Sequence, residues 1–136
     1  MTHPVLVADV GASTTRLAFA RKDGSLDAVR SFANDEVEDP ADLFADALDQ
    51  MRPRRPAACV LAIAGPIDGD RVTLTNRSWS FSRRGLARKL KLKRLLVVND
   101  FVAVAHALPA LGPADLVSGG GGRGAVRATM LACGPG

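Results

Sequence analysis

Two carboxylates and a run of hydroxyls stand where apolar stretches of this sequence stop. Asp9 closes "PVLVADV" and is followed by Gly11, Ala12, Ser13 and Thr14 in "DVGASTTR". Asn99 and Asp100 close "LKRLLVVND", and the run "AVRATMLACGPG" ends in Gly134, Pro135 and Gly136. A buried strand has no use for such groups, so each set belongs to a strand end. A carboxylate there can hold a metal ion, and the N–H groups of a glycine turn can hold phosphate. Ser13, Thr14 and Thr15 add donors that fit a phosphate oxygen. A second carboxylate, Asp100, can take a proton from an alcohol. Metal-phosphate site plus base is the equipment for phosphoryl transfer, where catalysis is largely positioning and charge stabilisation. Singly, each set has a plainer reading: Asp-x-Gly and Gly-Pro-Gly as turns, and Asn-Asp as the N-cap of the next helix. Together and in this order they favour the site.

Convergence of these ends requires parallel neighbouring strands, because open α/β sheets bind ligands beyond the carboxyl ends of such strands. The pattern supplies candidates. Residues 4–10 read as a buried strand, "TRLAFA" (15–20) as a second after a tight turn, and "SLDAVRSF" (25–32) as a third after the Asp-Gly turn "RKDG". Pro40 suits a first helical turn, and Leu43, Phe44, Ala47, Leu48 and Met51 fall on one helical face. "AACVLAIAG" (57–65) is a buried central strand. "PIDGDRVTLTN" gives a turn and a short strand, and "SWSFS" (78–82) leads into a basic helix. A strand over 92–100, a helix over 101–111, a glycine-rich loop at 119–124 and a strand over 125–133 complete the chain. That last strand is expected to expose an unpaired edge. The layout is α/β with a mixed sheet, not a plain doubly wound one.

With 136 residues, 47% of them hydrophobic, the chain can bury a real core. With 4% aromatics and no tyrosine, Val, Leu, Ala and Ile must build it. No run is long enough to span a membrane, and no basic segment precedes the first strand as in a signal peptide, so the expected location is cytoplasmic. Cys59 and Cys133 lie in apolar runs and read as buried thiols. Residues 1–50 carry ten acids against four bases, and residues 51–136 four acids against fourteen bases. The densest basic stretch, "RRGLARKLKLKR" (83–94), has no interleaved aromatic to stack on bases. Leu86 and Leu90 mark an apolar side, so the stretch reads as the solvated face of a helix and no nucleic-acid partner is expected.

The sequence resembles the N-terminal part of the bacterial glucokinases, in the hexokinase/actin-like ATPase superfamily. "DVGASTTR" corresponds to that family's Asp-x-Gly-Gly-Thr-Asn-x-Arg phosphate motif. "CVLAIAGPIDGDRVTLTNRSWSFS", "LLVVNDFVAVAHALPAL" and "LACGPG" carry the likeness onward. The resemblance implies the ribonuclease H-like (actin-like ATPase) small domain with a mixed sheet, truncated. Residues 1–112 would form that small domain and 113–136 the start of the second, in a chain less than half the length of a typical member. It implies a hexose kinase that transfers the ATP γ-phosphoryl group to the 6-hydroxyl of glucose or a related hexose, with Mg²⁺ and ATP as cofactors and a homodimer in the full-length member. Asp100 would be the general base, and Asn99 and Asn76 would bind the sugar. Asp9 would position Mg²⁺ through water. Gly11, Ala12, Ser13, Thr14, Gly134 and Gly136 would handle the nucleotide. Trp79 would pack, and His106 would be a surface or packing residue. Ala12 and Thr14 replace the motif's second glycine and its Asn. The Ala12 methyl narrows the room for phosphate and disfavours positive φ. The alternatives are a non-catalytic remnant that is degraded or binds a partner, and another actin-like ATPase or sugar-sensing regulator.

Overall fold

Alternation places Leu6, Ala8 and Val10 on one side of the first strand, and a computed structural model shows all three buried. The structure describes residues 4–51, 55–75 and 78–117. The chain divides into a first compact unit, Met1–Asp100, and a second, Phe101–Gly136. In the first unit β1 (Val5–Val10), β2 (Thr14–Ala20) and β3 (Leu26–Ala33) form an antiparallel meander, followed by α1 (Pro40–Gln50) and β4 (Ala58–Ile63). A short hairpin, β5 (Arg71–Thr73) and β6 (Ser80–Ser82), precedes α2 (Arg83–Lys89) and β7 (Arg94–Asn99). The main sheet runs β3-β2-β1-β4-β7, with β1, β4 and β7 parallel. This is the mixed α/β sheet expected from the sequence.

Two elements depart from expectation. "SWSFS" is no mere lead-in, because Ser80–Ser82 pairs with Arg71–Thr73 as a second, two-stranded sheet. The helix expected over 101–111 begins one residue earlier, as α3 (Asp100–Ala107), and gives way to single 3₁₀ turns at Leu108–Ala110 and Pro113–Asp115. Pro109 sits in the first of those turns, where its ring cannot continue an α-helix. The glycine-rich loop at 119–124, the strand expected over 125–133 and Cys133 lie outside the described residues.

One face of the main sheet is covered. Leu6, Leu17, Phe19, Leu61 and Ile63 meet the apolar stripe of α1, and Leu86 and Leu90 of α2 join the same core with Trp79 and Phe81. Asp39 caps α1 by accepting the Ala41 N–H at 2.8 Å, and Pro40 takes the first helical position. On the opposite face Val7 and Val60 are half-buried, and Leu96, in the same row, is 53% exposed. The basic helix turns its leucines inward, and Lys89 forms an ion pair with Asp42 of α1. Part of the charge asymmetry is thereby answered inside the fold. Cys59 is a buried thiol whose pKa burial pushes up to about 12.

The end of α2 is a Schellman turn: the Leu92 N–H donates to the Ala87 C=O (2.9 Å) and the Lys91 N–H to the Arg88 C=O (3.1 Å). Lys91 therefore takes a left-handed conformation, φ 55°, that costs a side-chain-bearing residue about 1–2 kcal/mol. Lys91→Gly is expected to raise stability by about 0.5–1 kcal/mol after the added unfolded-state entropy, read by urea denaturation.

At its other end, α2 is joined to the loop before β5. The Asp70 carboxylate accepts from the Ser82 hydroxyl (2.5 Å) and the Arg84 N–H (3.0 Å), and these bonds, the hydroxyl first, hold its pKa below the usual carboxylate range. A depressed folded-state pKa contributes stability above the ordinary value that is lost as pH falls through the folded one. Asp70→Asn is thus expected to lower the melting temperature at pH 7, with the gap from wild type closing as pH drops below about 4.

Candidate functional site

The pairing register brings the ends of three strands level. Val10 of β1, Ile63 of β4 and Asn99 of β7 lie in one row, where all three strands end. After β1 comes the turn Gly11–Ser13, after β4 the bend Ala64–Gly65, and after β7 Asp100, the first residue of α3. Asp9 and Asn99 thus stand at the same end of one sheet, with Asp100 directly after Asn99.

Asp9 sits one residue before that row, on the face opposite Val10, in register with Ala62 and Val98. Asp100 follows Asn99 directly as the first residue of α3, and with β4 between β1 and β7 ordinary strand spacing sets the tips of β1 and β7 roughly 10 Å apart. The Asp9 side chain is 55% exposed, and the Arg16 guanidinium, its cross-strand neighbour, approaches its Oδ2 at 3.8 Å. Arg16 has no role in the reading of the sequence above. Its signal is its place seven residues after Asp9, which a two-strand hairpin turns into adjacency.

The turn after Asp9 is closed by the Gly11 N–H donating to the Thr14 C=O at 3.0 Å. A Cβ on Gly11 would come within 3.2 Å of that carbonyl oxygen, so the close approach favours glycine. Ala12 does not take a positive φ; among described residues other than glycine only Ala28 and Lys91 do. The expected backbone penalty at Ala12 is therefore absent, because the reversal is made without a left-handed residue there. Ser13 is exposed, and Ala12 and Thr14 are half-buried.

Asn99 and Asp100 are half-buried. The Asn99 amide donates to the Gly65 C=O at 2.9 Å, which ties the tip of β7 to the tip of β4. Gly65 is itself pressed on the small hairpin. Trp79 is buried, as its packing role requires, and its ring N–H donates to the Val37 C=O at 3.1 Å. His106 is exposed on α3. Asn76, Gly134 and Gly136 lie outside the described residues.

Asn34 escapes the sequence reading, and Thr15 departs from it: the hydroxyl expected to serve a phosphate oxygen is turned into the core. Thr15 and Asn34 have no solvent exposure, and the Thr15 hydroxyl donates to Asn34 Oδ1 at 2.7 Å. Thr15 occupies the inward position of a strand whose next inward residues are Leu17 and Phe19, and that misplaced hydroxyl is the signal that could have found the pair. Among the described residues no group of three or more His, Cys, Asp and Glu side chains could enclose a metal ion. A cation at this edge would rely on Asp9 together with water and ligand oxygens. The exposed Asp9 carboxylate beside a tight turn with glycine at its first position suits a hydrated Mg²⁺ on a phosphate chain.

A family model described as Glucokinase matches residues 6–136. The glucokinase of Chromobacterium violaceum is 38% identical over 133 residues, covering 98% of this chain and 38% of the relative. The bifunctional protein glk of Burkholderia orbicola is also 38% identical over 133 residues, with 98% of this chain and 21% of the relative covered. A crystal structure of glucokinase from an Antarctic psychrotroph superposes with a TM-score of 0.77 at 28% identity, over 84% of this chain and 37% of that one. The chain spans well under half the length of these relatives. No helix among the described residues is long and apolar enough to cross a membrane.

A Cβ on Gly65 would lie 2.5 Å from the Thr73 C=O, a backbone atom that cannot step aside alone. Gly65→Ala is expected to cost about 1–3 kcal/mol by overpacking, read as a lower urea midpoint, and to displace the carbonyl that holds Asn99.

Proposed function

Because this chain belongs to the glucokinase family, we propose that its sheet edge is the acceptor-and-phosphate wall of a hexose kinase transferring the ATP γ-phosphoryl group to the 6-hydroxyl of glucose or a related hexose. The observation that carries this reading is the level ending of β1, β4 and β7, which sets a carboxylate on either side of the same edge.

Asp100 is the general base. It accepts the proton of the sugar hydroxyl as the oxygen forms its bond to the γ-phosphorus and the bond to the leaving diphosphate breaks. Asn99, whose amide donates to the Gly65 C=O, orients sugar hydroxyls in this reading, and Asn76 adds a contact. The turn of Gly11, Ala12, Ser13 and Thr14 is the bed for the phosphates, and Gly134 and Gly136 belong to a second such bed. Asp9 holds the hydrated metal ion, and Arg16 orients Asp9. When bound, Mg²⁺ neutralises charge on the phosphate oxygens.

The small apolar side chain at Ala12 replaces a glycine of the family motif without backbone strain, so its effect falls on the space left for phosphate. Exclusion of water from such a reaction requires a second wall of the cleft and its closure.

In a coupled assay of glucose phosphorylation, Asp100→Asn is expected to lower kcat by about 10²–10⁴-fold with little change in the KM for glucose. An unchanged rate removes Asp100 as the base.

A further inference from the structure

The turn that follows Asp9 does not hold its own shape. Gly11 and Ser13, on either side of Ala12, present their carbonyls to one residue at the end of β3. The Asn34 side-chain amide donates to the Gly11 C=O at 2.8 Å, and the Asn34 backbone N–H donates to the Ser13 C=O at 2.8 Å. Asn34 is fully buried, and its Oδ1 is held in place by the Thr15 hydroxyl at 2.7 Å. Which end of the amide donates is settled by Gly11: its C=O can only accept, so Nδ2 faces it and Oδ1 is left to accept from the Thr15 hydroxyl. A buried amide bonded on both sides is rigid, since any rotation would strand a polar atom away from water.

We propose that Asn34 is a positioning residue for nucleotide phosphate: it touches no ligand, but sets the carbonyl directions of Gly11 and Ser13 and hence the aim of the intervening peptide groups. This rests on the reading of the turn as the phosphate bed. Peptide planes are rigid, so fixing a carbonyl fixes the N–H on the other side of the same plane. Fixing the Gly11 and Ser13 carbonyls fixes the Ala12 and Thr14 N–H groups. Preorganised donors bind an anion without first being ordered, which is where the affinity arises.

Asn34→Asp separates positioning from packing. It keeps the shape and the acceptor for Thr15 but replaces the donor to Gly11 with an oxygen. The remote core variant Leu48→Val, on α1, serves as a control for lost stability. MgATP is titrated calorimetrically into each purified protein at a temperature where circular dichroism shows it folded, and amide exchange is followed by NMR. Asn34→Asp is expected to weaken MgATP binding at least tenfold and to speed exchange at Gly11–Thr14 selectively, while Leu48→Val keeps the affinity within threefold. Affinity within threefold of wild type in Asn34→Asp, or an equal loss in Leu48→Val, overturns the assignment of Asn34 and leaves the phosphate reading standing. A wild-type protein that binds no MgATP overturns the phosphate reading itself, and this proposal with it. If Asn34→Asp does not fold, the wild type decides: MgATP is expected to shift the Asn34 side-chain amide resonances and slow their exchange, and resonances unmoved at saturation overturn the proposal.

Discussion

Parallel pairing in strict register, with Val10, Ile63 and Asn99 sharing one row, is the constraint from which the arrangement of the edge follows. Evenly spaced parallel hydrogen bonds leave no freedom for one strand to run on past its neighbours without losing its partners. All three strands end at the same level, and the residues after Val10 and Ile63 are crowded against neighbouring backbone. Small or polar residues suit that crowd. Gly11 and Gly65 are there because backbone atoms lie where a Cβ would be. Asn99 is there because its amide can satisfy the carbonyl that the Gly65 turn leaves pointing sideways.

The two halves of the edge are held by different means. On the side of β7, a single side-chain amide bridges two strand tips, and the adjoining α3 begins at once with Asp100. On the side of β2 and β3, a buried hydroxyl and a buried amide form a short chain that ends on the backbone of the turn. A satisfied polar pair inside an apolar layer contributes little net stability but penalises every alternative arrangement, because each would leave a desolvated group unpaired. Such a pair specifies geometry more than it adds strength. The Asp9–Arg16 pair, by contrast, is exposed on both partners and adds orientation with little stability.

Much of this was legible in the residues. The five long strands and α1 follow from alternation, a Pro at a first helical turn and Asp-Gly punctuation, and "DVGASTTR" and "VVND" stand at the edge the sequence assigned to them. The β5–β6 pairing was not legible, because three-residue strands such as "RVT" and "SFS" carry too few positions for a period to show. Ala12 illustrates a second limit. A motif glycine suggests positive φ, yet whether the backbone needs it depends on the hairpin's closing bonds, which one sequence does not display. Asn34 marks a third: it opens the acidic run "NDEVED" with no apolar period around it, and only pairing of β3 with β2 brings it under the turn at Gly11.

The bonds that shape the Gly11 turn all close within the meander and the residue that follows it, across separations of at most 23 residues, whereas Asn99 reaches back 34 residues to Gly65. Proteins are made from the N-terminus, and short closures cost less chain entropy than long ones. The hook beneath Ala12 can accordingly be set while the chain is still being made, before the residues that carry Asn99 have emerged. The topology thus lets the turn at Asp9 close on local contacts alone, whereas the tip at Asn99 closes only once β4 and β7 are both present.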